Sequence, residues 1–199
     1  MKNEAVIVSG ARTPVGKARK GLLVDTRPDD LGAITIKETL KRANNFDHAS
    51  IEDVIIGCAM PEAEQGMNMA RSMSILAGLP YTVPAITVNR FCSSGLQSIA
   101  YGAERILSGQ AQAIIAGGAE SMSLVPMGGH VKVPIPVLVD EMPEYYMSMG
   151  HTAEEVARNY HISREEQDRF AEESQRRATN AQRKHNFQEE IVPVEITTR

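Results

Sequence analysis

Over roughly its first 120 residues the chain alternates short apolar runs with longer segments whose apolar residues recur at helical spacing. Ala5-Val6-Ile7-Val8-Ser9-Gly10-Ala11, Val54 to Ala59, residues 84 to 89 and Ala113 to Ala119 read as four strands. Between them lie three helical segments. One starts at Pro28-Asp29-Asp30, with aspartates at the positive end and an apolar face of Leu31, Ile34, Ile36 and Leu40. The second runs from Asn68 to Leu76 and stops at Gly78 and Pro80; the third runs from Ser93 to Ser108. Short apolar strands separated by helices require a mainly parallel sheet covered by helices, so the fold class is α/β. Such folds place chemistry where strand ends point at helix N-termini.

The pattern changes after about residue 120. From Met122 to Met147 there is no period, and Pro126, Pro134, Pro136 and Pro143 interrupt the chain. This stretch reads as irregular packed structure. A helix then spans Met149 to Tyr160. Ser163-Arg164-Glu165-Glu166 is a capping box for another that reaches about Lys184. Ile191 to Ile196 reads as a last strand. The domains implied are residues 1–120 and 121–199.

Composition narrows the function classes. A net charge of −4 gives no reason to expect nucleic acid or an anionic membrane as partner, and the absence of Trp argues against base stacking. No run reaches the ~18 apolar residues of a membrane span. The N-terminus enters a strand-like run at once and does not read as a signal peptide. Two cysteines make no disulfide framework, so a reducing cytoplasm is expected. There is no dinucleotide or P-loop glycine motif, and no Cys-x-x-Cys or His-x-x-x-His, so no metal site is expected. His48, His130, His151, His161 and His185 are scattered and read as surface or loop residues; His151 alone sits beside a glycine at a helix start.

Cys92 is the strongest candidate for chemistry. It lies in Val88-Asn89-Arg90-Phe91-Cys92-Ser93-Ser94-Gly95, between a strand and the third helix. Free amide groups and the positive dipole end favour a negative charge at a helix start. A thiolate is such a charge, and the thiolate is the nucleophile. The competing reading is a buried cysteine acting as a small hydrophobe. The polar, small flanks suit a turn better than a core, but on local grounds both readings stand. Cys58, inside an apolar strand, reads as an inert core thiol.

Taken together and in order, the motifs resemble the thiolase family. Ala11-Arg12-Thr13-Pro14-Val15-Gly16 resembles its N-terminal signature. Glu64 to Arg71 with Ala77-Gly78-Leu79-Pro80 resembles its second helix region, and Val88 to Gly95 its nucleophile motif. Gly117-Gly118-Ala119-Glu120-Ser121-Met122-Ser123 resembles its next strand end; Met149-Gly150-His151-Thr152-Ala153-Glu154 and Ile191-Val192-Pro193-Val194 resemble its inserted loop domain. The Cys-Ser-Ser-Gly form and Arg90 are more similar to the 3-ketoacyl-CoA thiolases than to the acetoacetyl-forming enzymes.

The resemblance implies a thiolase-like N-terminal α/β/α half, residues 1–120, bearing the nucleophile turn, and a partial loop domain on the substrate and CoA side, residues 121–199. It implies that Cys92 attacks a 3-oxoacyl-CoA and carries the acyl group as a thioester, with its own backbone N–H in the oxyanion hole. It implies that Met149 lines the acyl pocket, with Ser148 where some relatives carry histidine. Acyl-CoA and CoA are the implied partners, CoA as co-substrate, without metal, in a cytoplasmic homo-dimer or tetramer of fatty acid metabolism and β-oxidation. Thiolases are about twice as long. Their activating histidine, proton-shuttling second cysteine and water-holding asparagine lie in a second half that is not matched here, and the third helix is expected to show an apolar face. A non-catalytic remnant that binds an intact thiolase is the first alternative, and a ketoacyl-synthase-type condensing enzyme the second.

Overall fold

A computed structural model describes residues 4–44 and 46–196. The chain divides into two compact units: residues 1–130 with 190–199, and residues 131–189.

The first unit is built on a three-stranded, all-parallel sheet in the order β2-β1-β3, with β1 Asp53–Gly57, β2 Ala85–Val88 and β3 Ile114–Gly118. The central strand β1 is buried along its whole length, which explains its apolar run Val54-Ile55-Ile56. Val54, Ile56 and Cys58 point to one face. There α1 (Pro28–Arg42) and α2 (Met69–Leu76) close a core of Ile36, Leu40, Ile51, Met69, Ala70, Met73, Leu79 and Val83. Helix α1 opens with proline at its first position and Asp29 and Asp30 in its first turn, and closes with Lys41 and Arg42, each charge matched to the helix dipole.

Helix α3 (Ser94–Leu107) covers the other face by a different device. It buries Ser94, Ser98 and Gly102, four residues apart, so the stripe against the sheet is made of small side chains. A Cβ on Gly102 would sit 3.3 Å from Ile114 Cγ2. Arg105 forms an ion pair with Asp53 of β1 and ties the far end of the helix to the sheet. Leu96 and Leu107 are left facing outward, Leu96 at 71% exposure, while Ile99 borders a cavity beside β3.

Two of the expected strands do not form ladders. In residues 5–11 the chain is not part of the sheet, and Val6, Ile7 and Val8 are exposed, Ile7 at 85%. Among the described residues a single parallel bridge follows, between Arg12 and Ile191, with Arg12 N–H donating to Glu190 O (2.9 Å) and Val192 N–H to Arg12 O (2.8 Å). Residues 191–196 contribute that bridge and no more among the described residues. β-propensity makes a strand only where a neighbour supplies hydrogen bonds. Here a cavity of about 980 Å³ is lined by the segment from Ala5 and by β3.

Residues 121–130 stay with the first unit, because Ser121 N–H donates to Gln65 Oε1 and Val125 is fully buried. The second unit holds α4 (Pro136–Glu141), α5 (Met149–Asn159) and α6 (Arg164–Arg183). The stretch that reads as irregular thus carries a short helix and a 3-10 turn, Pro143–Tyr146; their prolines stand at first positions, where no N–H is needed. The Ser163–Glu166 capping box is present at α6. Among the described residues no helix is long and apolar enough to cross a membrane.

Candidate active site

Cys92 sits at the centre of a 3-10 turn, Phe91–Ser93, between the end of β2 and the first residue of α3. It is exposed, and that removes the buried-hydrophobe reading. Glycines let the turn approach the sheet. A Cβ on Gly57, at the end of β1, would collide with the backbone of Ser94 and Gly95, and one on Gly118, at the end of β3, would sit 3.4 Å from Gly95 Cα. The start of α3 is therefore seated directly on the carboxyl ends of two strands. Ser98 Oγ lies 2.7 Å from Gly117 O and keeps it there.

The turn is held from both sides. Asn89 Oδ1 accepts from Phe91 N–H (2.8 Å), and Asn89 Nδ2 donates to Ala59 O (3.0 Å). Ser94 Oγ accepts from Arg90 N–H (2.8 Å) and donates to Phe91 O (2.6 Å). Ser93, the residue before α3, turns its hydroxyl back to Arg90 O (2.9 Å) and does not cap the helix. Arg90 hydrogen-bonds Gln97 in the first turn of α3. Phe91, next to the cysteine, has φ +47°, a conformation that a bulky side chain rarely adopts.

Beneath the turn, Glu120 joins the loops that follow β1 and β3. Its carboxylate accepts from Ala59 N–H (2.6 Å), Met60 N–H (3.3 Å) and Gln65 Nε2 (2.6 Å). Gln65 is fully buried and also donates to Met60 O (2.8 Å). Cys58 lies under this carboxylate, with Sγ 3.8 Å from Glu120. Burial first, and the negative charge of Glu120 second, push the Cys58 thiol up to about 12. Cys58 is 1% exposed, so it is the inert thiol that its strand sequence implies.

The remaining candidate, Met149, begins α5 and is 67% exposed. Ser148 precedes it as the helix cap, accepting from His151 N–H at 3.3 Å and lying 2.9 Å from His151 Nδ1. Cys92 belongs to the first compact unit and Met149 to the second. No histidine is among the described hydrogen-bond partners of the Cys92 turn. What the sequence alone does not reveal is the scaffold of Asn89, Glu120 and Gln65. Asn89, two residues before Phe91, carries the signature of an Asx turn, whereas the Glu120–Gln65 contact has no local signal.

The profile of the family described as "Thiolase, N-terminal domain" matches residues 5–199. A 3-ketoacyl-CoA thiolase of Bacillus subtilis (strain 168) is 66% identical over 194 residues, covering 98% of this chain and 49% of that protein. A 3-ketoacyl-CoA thiolase of Marinomonas sp. (strain MWYL1) is 42% identical over 193 residues, covering 97% of this chain and 49% of its own length. A beta-ketoadipyl-CoA thiolase of Acinetobacter baylyi (strain ATCC 33305 / BD413 / ADP1) is 42% identical over 218 aligned positions, covering 98% and 52%. The chain spans about half the length of the curated relatives it matches.

Proposed function

The chain belongs to the thiolase family, and from that premise we propose that it carries the nucleophile of an acyl-CoA acyltransferase acting on 3-oxoacyl-CoA. The observation that carries this reading is the exposed Cys92 on a tightly held turn where α3 meets the strand ends. In the first half-reaction the Cys92 thiolate attacks the 3-keto carbon. The C2–C3 bond breaks, leaving an acyl-Cys92 thioester and the enolate of acetyl-CoA, which takes up a proton to give acetyl-CoA. In the second, the thiol of free CoA attacks the thioester and leaves with the shortened acyl group, regenerating Cys92. Run backwards, the same steps condense two acyl units. CoA is a co-substrate, and no step is routed through a metal.

The backbone N–H of Cys92 is one donor to the oxyanion, and Met149 contributes to the acyl pocket. Ser148 supplies a hydroxyl where some relatives present an imidazole. The setting we infer is cytoplasmic fatty acid β-oxidation, in a homo-oligomer. A positioned general base is worth roughly 10²–10⁴ in rate. With no histidine among the described partners of the turn, the expected activity of the chain by itself is slow acylation without appreciable turnover.

The test is mass spectrometry of the chain after incubation with acetoacetyl-CoA. A slowly formed acyl adduct on Cys92, absent in Cys92→Ser, is the expected result. No adduct, or an adduct that survives Cys92→Ser, overturns the reading. A second reading, a non-catalytic chain that binds an intact thiolase protomer, is favoured by the outward apolar residues of α3. Co-elution with the intact B. subtilis relative, without any Cys92 adduct, would select it.

A further inference from the structure

We propose that Asn89 is a positioning residue for Cys92, holding the nucleophile turn in its left-handed conformation and linking it to a buried anchor at Gln65. This rests on the reading of Cys92 as nucleophile. The argument starts from Phe91. With φ +47° it occupies a region that a bulky residue enters only when its surroundings impose it. Asn89 Oδ1 holds the peptide entering Phe91, by accepting its N–H at 2.8 Å in an Asx turn, while Ser94 Oγ holds the carbonyl that leaves it (2.6 Å).

The other end of the same amide fixes where the turn sits. Asn89 Nδ2 donates to Ala59 O at 3.0 Å, across 30 residues of sequence. Ala59 N–H is bound in turn by Glu120 at 2.6 Å, and Glu120 by Gln65 Nε2 at 2.6 Å. Gln65 has no exposure, and its Oε1 takes the Ser121 N–H. A continuous run of hydrogen bonds thus joins a buried side chain to the amide beside Cys92. Asparagine is suited to the place because it presents one acceptor and two donors on a single planar group. Aspartate keeps the acceptor and loses the donor; alanine loses both. Asn89 acts through the Phe91–Cys92 backbone, and no contact with substrate is needed.

The experiment is iodoacetamide labelling of the full 199-residue chain, read by peptide mass spectrometry, with buried Cys58 as the reporter of folding. Asn89→Ala should slow Cys92 labelling by about tenfold, a scale on which small misplacements of a reacting group are felt, while Cys58 stays unlabelled. The decisive readout is rescue. Glycine adopts positive φ at no steric cost, so Asn89→Ala with Phe91→Gly should return Cys92 to within about twofold of the wild-type rate, on the same scale. A labelling rate unchanged by Asn89→Ala, or a slowed rate that glycine does not restore, overturns the proposal. If Asn89→Ala exposes Cys58 as well, Asn89→Asp takes its place. It retains the acceptor for Phe91, and an intermediate rate supports the proposal while an unchanged one overturns it. Iodoacetamide needs no acyl-CoA. A failure here is therefore distinct from a failure of Cys92 to take an acyl group.

Discussion

The two faces of the sheet are covered by opposite means. On the α1 and α2 side, large apolar side chains interdigitate, and Val54, Ile56, Met69 and Met73 are all but inaccessible. On the α3 side the contact is made by Ser94, Ser98 and Gly102, whose small size brings the helix backbone onto the strand ends. The first face supplies burial and so stability. The second supplies closeness, and leaves the large residues Leu96 and Leu107 facing outward. The face that seats the nucleophile turn thus contributes less apolar burial and presents an apolar surface of its own.

The contrast can be broken most severely on the first face. Met73→Ala should destabilise the chain by about 2–5 kcal/mol, the usual range for emptying a packed site, read as a lower urea midpoint. The same face should also respond to alkali. Because the folded Cys58 thiol is held above its ordinary value of 9.0, up to about 12, the neutral form is favoured by folding. Its contribution is fully present below pH 9 and is lost as pH rises towards 12. Cys58→Ala should flatten that part of the alkaline decline, measured as the slope of stability against pH.

The second face should answer to crowding and to lost hydrogen bonds. Gly57→Ala drives a Cβ into the Ser94–Gly95 backbone. It should cost about 1–3 kcal/mol and change the alkylation rate of Cys92 while Cys58 stays protected. Ser98→Ala removes the hydroxyl beside Gly117 O, for a loss of about 0.5–1.5 kcal/mol by denaturant titration. The smallest effect belongs to the outward residues. Leu96→Lys with Leu107→Lys should shift stability by no more than about 0.5 kcal/mol, yet reduce self-association in sedimentation velocity. A large loss of stability in that variant would mean that the outward face is part of the chain's own core, and the comparison would fail.

Much of this was legible along the chain. The three strands that form and helices α1, α2, α3, α5 and α6 lie where periodicity and breakers put them. The Ser163 capping box is local enough to be read from four residues. Cys92 stood out by its polar flanks at a strand-to-helix junction. Residues 5–11 were not legible in the same way. Val6-Ile7-Val8 has the composition of a strand, but a strand is a relation between two segments, and no ladder partner is present among the described residues. The prolines at 136 and 143 suggested irregularity because a proline at a helix start and one in a loop look alike in sequence.

The β/α alternation, the helix limits and the cysteine that stands on a turn are local properties, because each depends on residues within a few positions of one another. Packing of the assembled strands and helices set the β2-β1-β3 order and the outward apolar face of α3. It alone also decided the burial of Cys58 beneath Glu120 and the tether from Gln65 to Asn89. Those contacts join residues tens of positions apart, 62 for Cys58 with Glu120 and 30 for Asn89 with Ala59. Their energy comes from burial and hydrogen-bond partners that exist only once the strands have been brought side by side.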